Sequence, residues 1–124
     1  MKVLWFTNTP CSYSKELYPG LLSGGWMEAL ENALNKIPGV ELFIAFYHSV
    51  ESDQVKFGNT NFYPVLREKS YLSELKKRVL NQFHNDDTEI PRLLKVVETI
   101  SPDVIHIHGT EDNFGLIQRY VKQP

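Results

Sequence analysis

The residue pattern predicts an α/β domain with a mostly parallel sheet and helices on both faces, because strand-like and helix-like runs alternate along the chain. Three observations carry this prediction. Residues 2–7 form a nearly continuous apolar run with β-branched and aromatic members, as a strand covered on both faces requires. From Trp26 the apolar residues Leu30, Ala33, Leu34 and Ile37 recur at helical spacing, while Glu28, Glu31, Asn32 and Asn35 point elsewhere. A second apolar run, 40–47, follows the break at Pro38-Gly39 and completes a strand–helix–strand unit.

The remaining elements follow in order. Residues 8–23 read as a long loop between the first strand and the first helix. The stretch 48–61 is polar and turn-rich, and Val55, Phe57, Phe62 and Val65 around Pro64 predict one short edge strand, since proline cannot donate to a ladder. Leu72, Leu75, Val79, Leu80 and Phe83 keep helical spacing, and so do Ile90, Leu93, Leu94 and Val97 after the break at 85–88. Two helices are therefore expected, the second capped by Asp87 or Thr88, tolerant of Pro91 in its first turn, and stopped by Ser101-Pro102. Residues 103–108 form a further strand, 109–113 a loop, and 114–121 the start of another helix. The chain thus reads as a single domain, 1–124, truncated before the strand that an α/β fold would form next.

Composition narrows the function classes. Apolar residues make up 42% and charged residues 23% of the 124, which argues against disorder and against a disulfide scaffold. A formal charge of -2 gives no reason to expect nucleic acid as a partner. The single cysteine, Cys11, can form no internal disulfide and suits a reducing, cytoplasmic setting. The opening apolar run is too short for a signal peptide or a spanning helix. Arg67, Lys69, Lys76, Lys77 and Arg78 concentrate positive charge, but Glu68 and Glu74 dilute it, so a solvated helix face is expected rather than peripheral membrane association.

Three features bear on chemistry. Ser23-Gly24-Gly25 lies between the first strand and the first helix, where an α/β fold offers backbone N–H groups to an anion; the alternative is a simple loop turn. The dinucleotide fingerprint is absent, and Trp26 and Met27 stand where a Walker motif needs Lys and Ser or Thr, so neither a dehydrogenase nor a P-loop ATPase is supported. Cys11 follows a strand as phosphatase cysteines do, but position 17 is Leu where such a site needs Arg, which leaves a structural thiol. His106 and His108 share a strand face and permit a metal-dependent hydrolase with Glu111 or Asp112, although two ligands make no site and no other cluster accompanies them. Here His106 is expected deeper in the core, and His108 at the carboxyl end of a central strand, facing the crevice.

Taken together, residues 2–6 (Lys-Val-Leu-Trp-Phe), Gly24-Gly25-Trp26 and the stretch 101–109 (Ser-Pro-Asp-Val-Ile-His-Ile-His-Gly) resemble the amino-terminal domain of family 4 glycosyltransferases, in order and spacing across nearly the whole chain. The resemblance implies a Rossmann-like domain forming the amino-terminal half of a GT-B fold. It implies a retaining enzyme that moves a sugar from a nucleotide-sugar to a sugar or lipid-linked acceptor, as in polysaccharide biosynthesis, without metal or cofactor. By position, Gly24 and Gly25 match the donor-diphosphate loop, and His108 and Gly109 match the cleft. Met27 stands where many members have Glu, so Glu28, one residue on, receives no donor-binding role. The family's paired glutamates belong to a carboxyl-terminal donor domain outside these residues, so no catalytic residue is named and the fragment alone is expected to be inactive. A non-catalytic α/β binding module is the other alternative, but a receiver-like module would want acids where Asn8, Thr9 and Pro10 stand.

Overall fold

Val3, Leu4, Trp5 and Phe6 are buried in succession with no polar alternation, which happens only when a strand is covered on both faces. The computed structural model, which describes residues 1–20, 25–67, 89–109 and 113–124, shows how this comes about. Strands β1 (Lys2–Thr7), β2 (Glu41–His48), β3 (Val55–Phe57), β4 (Thr60–Leu66) and β5 (Val104–His108) form one sheet ordered β3-β4-β2-β1-β5. β1 runs parallel to both β2 and β5, β2 runs parallel to β4, and β3 alone is antiparallel.

Helices lie on both faces of the sheet, as the alternation of patterns predicts. On one face α2 (Trp26–Leu34) presents Met27, Leu30 and Leu34 to Val3, Trp5, Leu42, Ile44, Phe46 and Phe62. It is preceded by a 3-10 turn at Cys11–Tyr13 and the four-residue α1 (Ser14–Leu17), so the segment expected to be one long loop is partly helical. On the other face α3 (Glu89–Ile100) sets Leu93, Val97 and Ile100 against Leu4, Phe6, Phe43, Ala45 and Val65. A 3-10 stretch, Asn113–Arg119, adds Phe114 and Ile117 to that second core. Each fully buried large side chain contributes roughly 1.5–3 kcal/mol, so the two cores together dominate the stability.

The amino edge of the sheet is stitched by the Ser-Pro-Asp stretch. Ser101 takes a positive φ of 49° and donates its N–H to the Val97 carbonyl at 2.8 Å, which ends α3 just before Pro102. Asp103 then accepts the Lys2 N–H on its carboxylate at 2.7 Å and donates its own N–H to the Lys2 carbonyl at 2.9 Å. The two strands are thereby set in register at their starts. The Ser101-Pro102-Asp103 stretch therefore has a structural job.

Four expectations are corrected. The single edge strand predicted around Pro64 is a β3–β4 hairpin in which β4 lies inside the sheet and β3 forms the edge. Pro64 is tolerated because β3 pairs only with Thr60–Phe62, leaving β4 without that neighbour at residue 64. α2 ends at Leu34, so Ile37 falls in the turn beyond it. The segment expected to begin an α-helix near Phe114 is a 3-10 helix. β5 is not central: its only strand neighbour among the described residues is β1. The helix predicted over 72–83, with Lys69, Lys76, Lys77 and Arg78, lies outside the described residues, as do the capping candidates Asp87 and Thr88. Among the described residues no helix is long and apolar enough to cross a membrane.

Candidate functional site

The chain leaves β1 at Thr7 and returns as α2, so the amino end of α2 sits at the carboxyl edge of the sheet beside the end of β5. This is where open α/β sheets bind ligands. Gly25 caps α2 with φ 99° and ψ -171°, a combination open essentially to glycine alone. The space a Cβ would occupy there is empty, so backbone conformation and not crowding demands glycine. No side chain caps the helix among the described residues, which leaves its first N–H groups without side-chain acceptors. Gly24 and Ser23 lie outside the described residues.

Glu28 stands in the first turn of α2, where its charge opposes an anion, but its carboxylate is paired with Lys15 at 2.5 Å. Behind it, the buried Glu31 accepts from the Ser12 N–H at 3.0 Å, the Ser12 hydroxyl at 2.7 Å and the Thr60 hydroxyl at 2.8 Å. That network ties the loop after β1 to α2 and β4. Cys11 is buried next to it; burial first, and then the Glu31 carboxylate, pushes its thiol up to about 12. It is a structural thiol with no thiolate to act as nucleophile.

Opposite α2 stands β5. The parallel register puts His106 beside Trp5 and His108 beside Thr7, so both imidazoles lie on the α2 face of the sheet. Their depths are the reverse of what the sequence predicts: His106 is exposed and His108 is only 8% exposed. The reason is the position of β5 at the border of the described sheet, together with the aromatic rings gathered on His108. Its ring centroid lies 3.9 Å from His106, 4.5 Å from Trp5 and 5.6 Å from Trp26. Burial, and then the neighbouring His106, lowers the His108 pKa to about 4, so the imidazole is neutral at pH 7. Its Nε2 is buried with no hydrogen-bond partner among the described residues. Gly109 turns the chain away immediately afterwards with φ 97°.

The structure thus brings together Gly25, His108 and Gly109 from the predicted set. It adds two residues that the sequence reading missed. Trp26, at the first position of α2, is 66% exposed beside His108; its helical register gave it to the core, and only its place at the helix start signalled otherwise. Glu89, buried at the start of α3, accepts from the Tyr47 hydroxyl at 2.9 Å, the Asn113 amide at 2.9 Å and the Arg67 Nε at 3.0 Å. Phe114 stacks on Tyr47 at 4.5 Å, and the Arg67 guanidinium lies 4.5 Å over the same ring. This cluster joins the ends of β2 and β4, the start of α3 and the segment after the Gly109 turn. An acid in the first turn of a helix was its one sequence signal.

As to metals, the described residues contain no group of three or more His, Cys, Asp or Glu side chains able to hold an ion, and Glu111 and Asp112 lie outside them. A cavity of about 630 Å³ lies elsewhere, between β4, α3 and residues 51–54, and none of the predicted site residues lines it. No protein-family model, curated protein or solved structure matches the chain.

Proposed function

We propose that this chain is the acceptor-side domain of a retaining GT-B glycosyltransferase, acting in the cytoplasm on a nucleotide-sugar donor and a sugar or lipid-linked acceptor. One observation carries the reading: a helix amino end without a side-chain cap among the described residues, begun by a glycine in a glycine-only conformation, meets a neutral imidazole whose Nε2 has no partner among those residues, at the carboxyl edge of a mostly parallel sheet. The N–H groups at the start of α2 would stabilise the negative charge that develops on the departing nucleoside diphosphate. His108 would hydrogen-bond a reacting sugar without carrying charge of its own, and the Gly109 turn would keep that wall of the cleft low. The donor's sugar and ribose would be held by a second domain carrying the paired glutamates, as the family resemblance implies, and Gly24 would share the diphosphate loop on the same ground.

The test is sugar transfer by the gene product purified from its native source. Incubated with UDP-, GDP- and ADP-sugars and a panel of saccharide acceptors, it should release nucleoside diphosphate only when an acceptor is present, and Gly25→Val should lower that turnover at least tenfold. A native product that releases no nucleotide from any donor would contradict the reading. The metal-hydrolase alternative has only His106 and His108 among the described residues, and no observation favours it.

A further inference from the structure

We propose that Trp26 is a stacking platform for a pyranose ring, with the His108 imidazole on its flank to take one of the sugar's hydroxyls. The inference rests on the glycosyltransferase reading for which substrate carries the ring, but not for the stacking itself.

The two tryptophans of the chain are used in opposite ways. Trp5 is 0% exposed in the core, whereas Trp26 keeps 66% of its surface in solvent although it opens a helix whose later apolar residues, Met27, Leu30 and Leu34, all turn inward. Exposing an indole in this way forgoes the burial available to its neighbours, and the ring is held instead against His108, at 5.6 Å and an interplanar angle of 54°. The electron-rich face of an indole attracts the polarised C–H groups on one face of a pyranose, and a ring lying there carries hydroxyls at its rim. His108 Nε2 is buried without a partner among the described residues, and an unmet hydrogen-bonding group is a standing cost that a ligand hydroxyl can relieve.

The surroundings favour a sugar over a membrane or a protein. Beside Trp26 stand Gly25 and the His108 imidazole, with His106 against His108, and among the described residues the other large exposed apolar side chains, Met1, Tyr18, Ile37, Val50 and Tyr120, are spread over other parts of the chain. One aromatic face among polar planar groups is suited to a saccharide, whereas a bilayer or protein contact needs a contiguous apolar patch.

The experiment uses the ¹⁵N-labelled 124-residue protein, which has two indole N–H resonances, one from Trp5 and one from Trp26, assigned through Trp26→Phe. It is titrated with the methyl glycosides of glucose, galactose, mannose and N-acetylglucosamine up to about 100 mM. At least one glycoside should shift the Trp26 indole resonance, with half-saturation on the order of 10 mM, and leave that of Trp5 in place. Read from the backbone amides of residues 25–28 and 108–109, Trp26→Leu should weaken binding at least tenfold with an unchanged melting temperature, and Trp26→Tyr should stay within about threefold of the parent. Indifference of the Trp26 resonance to all four glycosides would overturn the proposal, and so would a response to uridine or adenosine alone. The glycosyltransferase reading is judged separately, by the response of the Gly25 amide to a nucleoside diphosphate.

Discussion

Glu89 gathers the Tyr47 hydroxyl, the Arg67 guanidinium and the Asn113 amide on one buried carboxylate, so Glu89→Ala takes the shared acceptor from three parts of the chain at once. Removing one partner of a fully buried pair costs about 3–5 kcal/mol; with Arg67 at 29% exposure we expect about 2–4 kcal/mol, read from urea unfolding. A loss below about 0.5 kcal/mol would show the cluster to be incidental. His108 supplies a second residue-scale prediction. Its folded pKa of about 4 lies below the unfolded value of 6.5, so the folded state binds fewer protons between those values. The resulting stability is fully present above pH 6.5 and is lost as pH falls towards 4, on the order of 1–3 kcal/mol in all. Urea midpoints measured from pH 7.5 down to 4.5 should therefore fall less steeply for His108→Gln than for the parent, and identical slopes would contradict the assignment. The sequence made both histidines visible as candidates, because strand periodicity tells which residues share a face. It could not rank their depths, since that depends on what flanks β5 and on which rings close over His108, and both are set by residues distant in sequence.

Among the elements, α3 and β1 were legible because their patterns are long and consistent: three buried apolar residues at helical spacing in α3, and an unbroken buried run in β1. β4 was not, because Pro64 argues for an edge and only the true extent of β3, three residues, shows that β4 is exposed just where the proline falls. The Glu89 cluster was equally hidden, being built from residues 47, 67, 89 and 113. The start of α2 offers the sharpest test at this scale. Gly25→Ala should destabilise by about 1–3 kcal/mol through backbone strain alone, since a Cβ there meets nothing within 4 Å. Gly115 has the same open surroundings and no positive φ, so Gly115→Ala should be neutral or slightly stabilising in the same thermal unfolding assay. Equal effects of the two substitutions would mean that Gly25 is not held in its special conformation in solution.

For the molecule as a whole, the sheet divides the work between its two ends. The amino edge is closed by the Asp103 and Lys2 hydrogen bonds, whereas the carboxyl edge gathers the α2 amino end, His108 and the Gly109 turn on one side and the Glu89 cluster on the other. The α/β class and the mostly parallel sheet were readable from the alternation of patterns; the chemistry at the carboxyl edge was readable only as candidate residues, because their convergence is a property of the fold. The central claim of the proposed function is that the start of α2, beside the end of β5, receives a nucleoside diphosphate. Amide shifts of the 124-residue protein titrated with UDP and GDP measure this most directly, with affinity on the order of millimolar expected because Trp26 stands where a Walker motif places its lysine. The account predicts shifts concentrated at residues 25–28 and 108–109, weakened in Gly25→Val once its fold is confirmed. Shifts confined to other parts of the chain, or identical titrations for parent and variant, would contradict it.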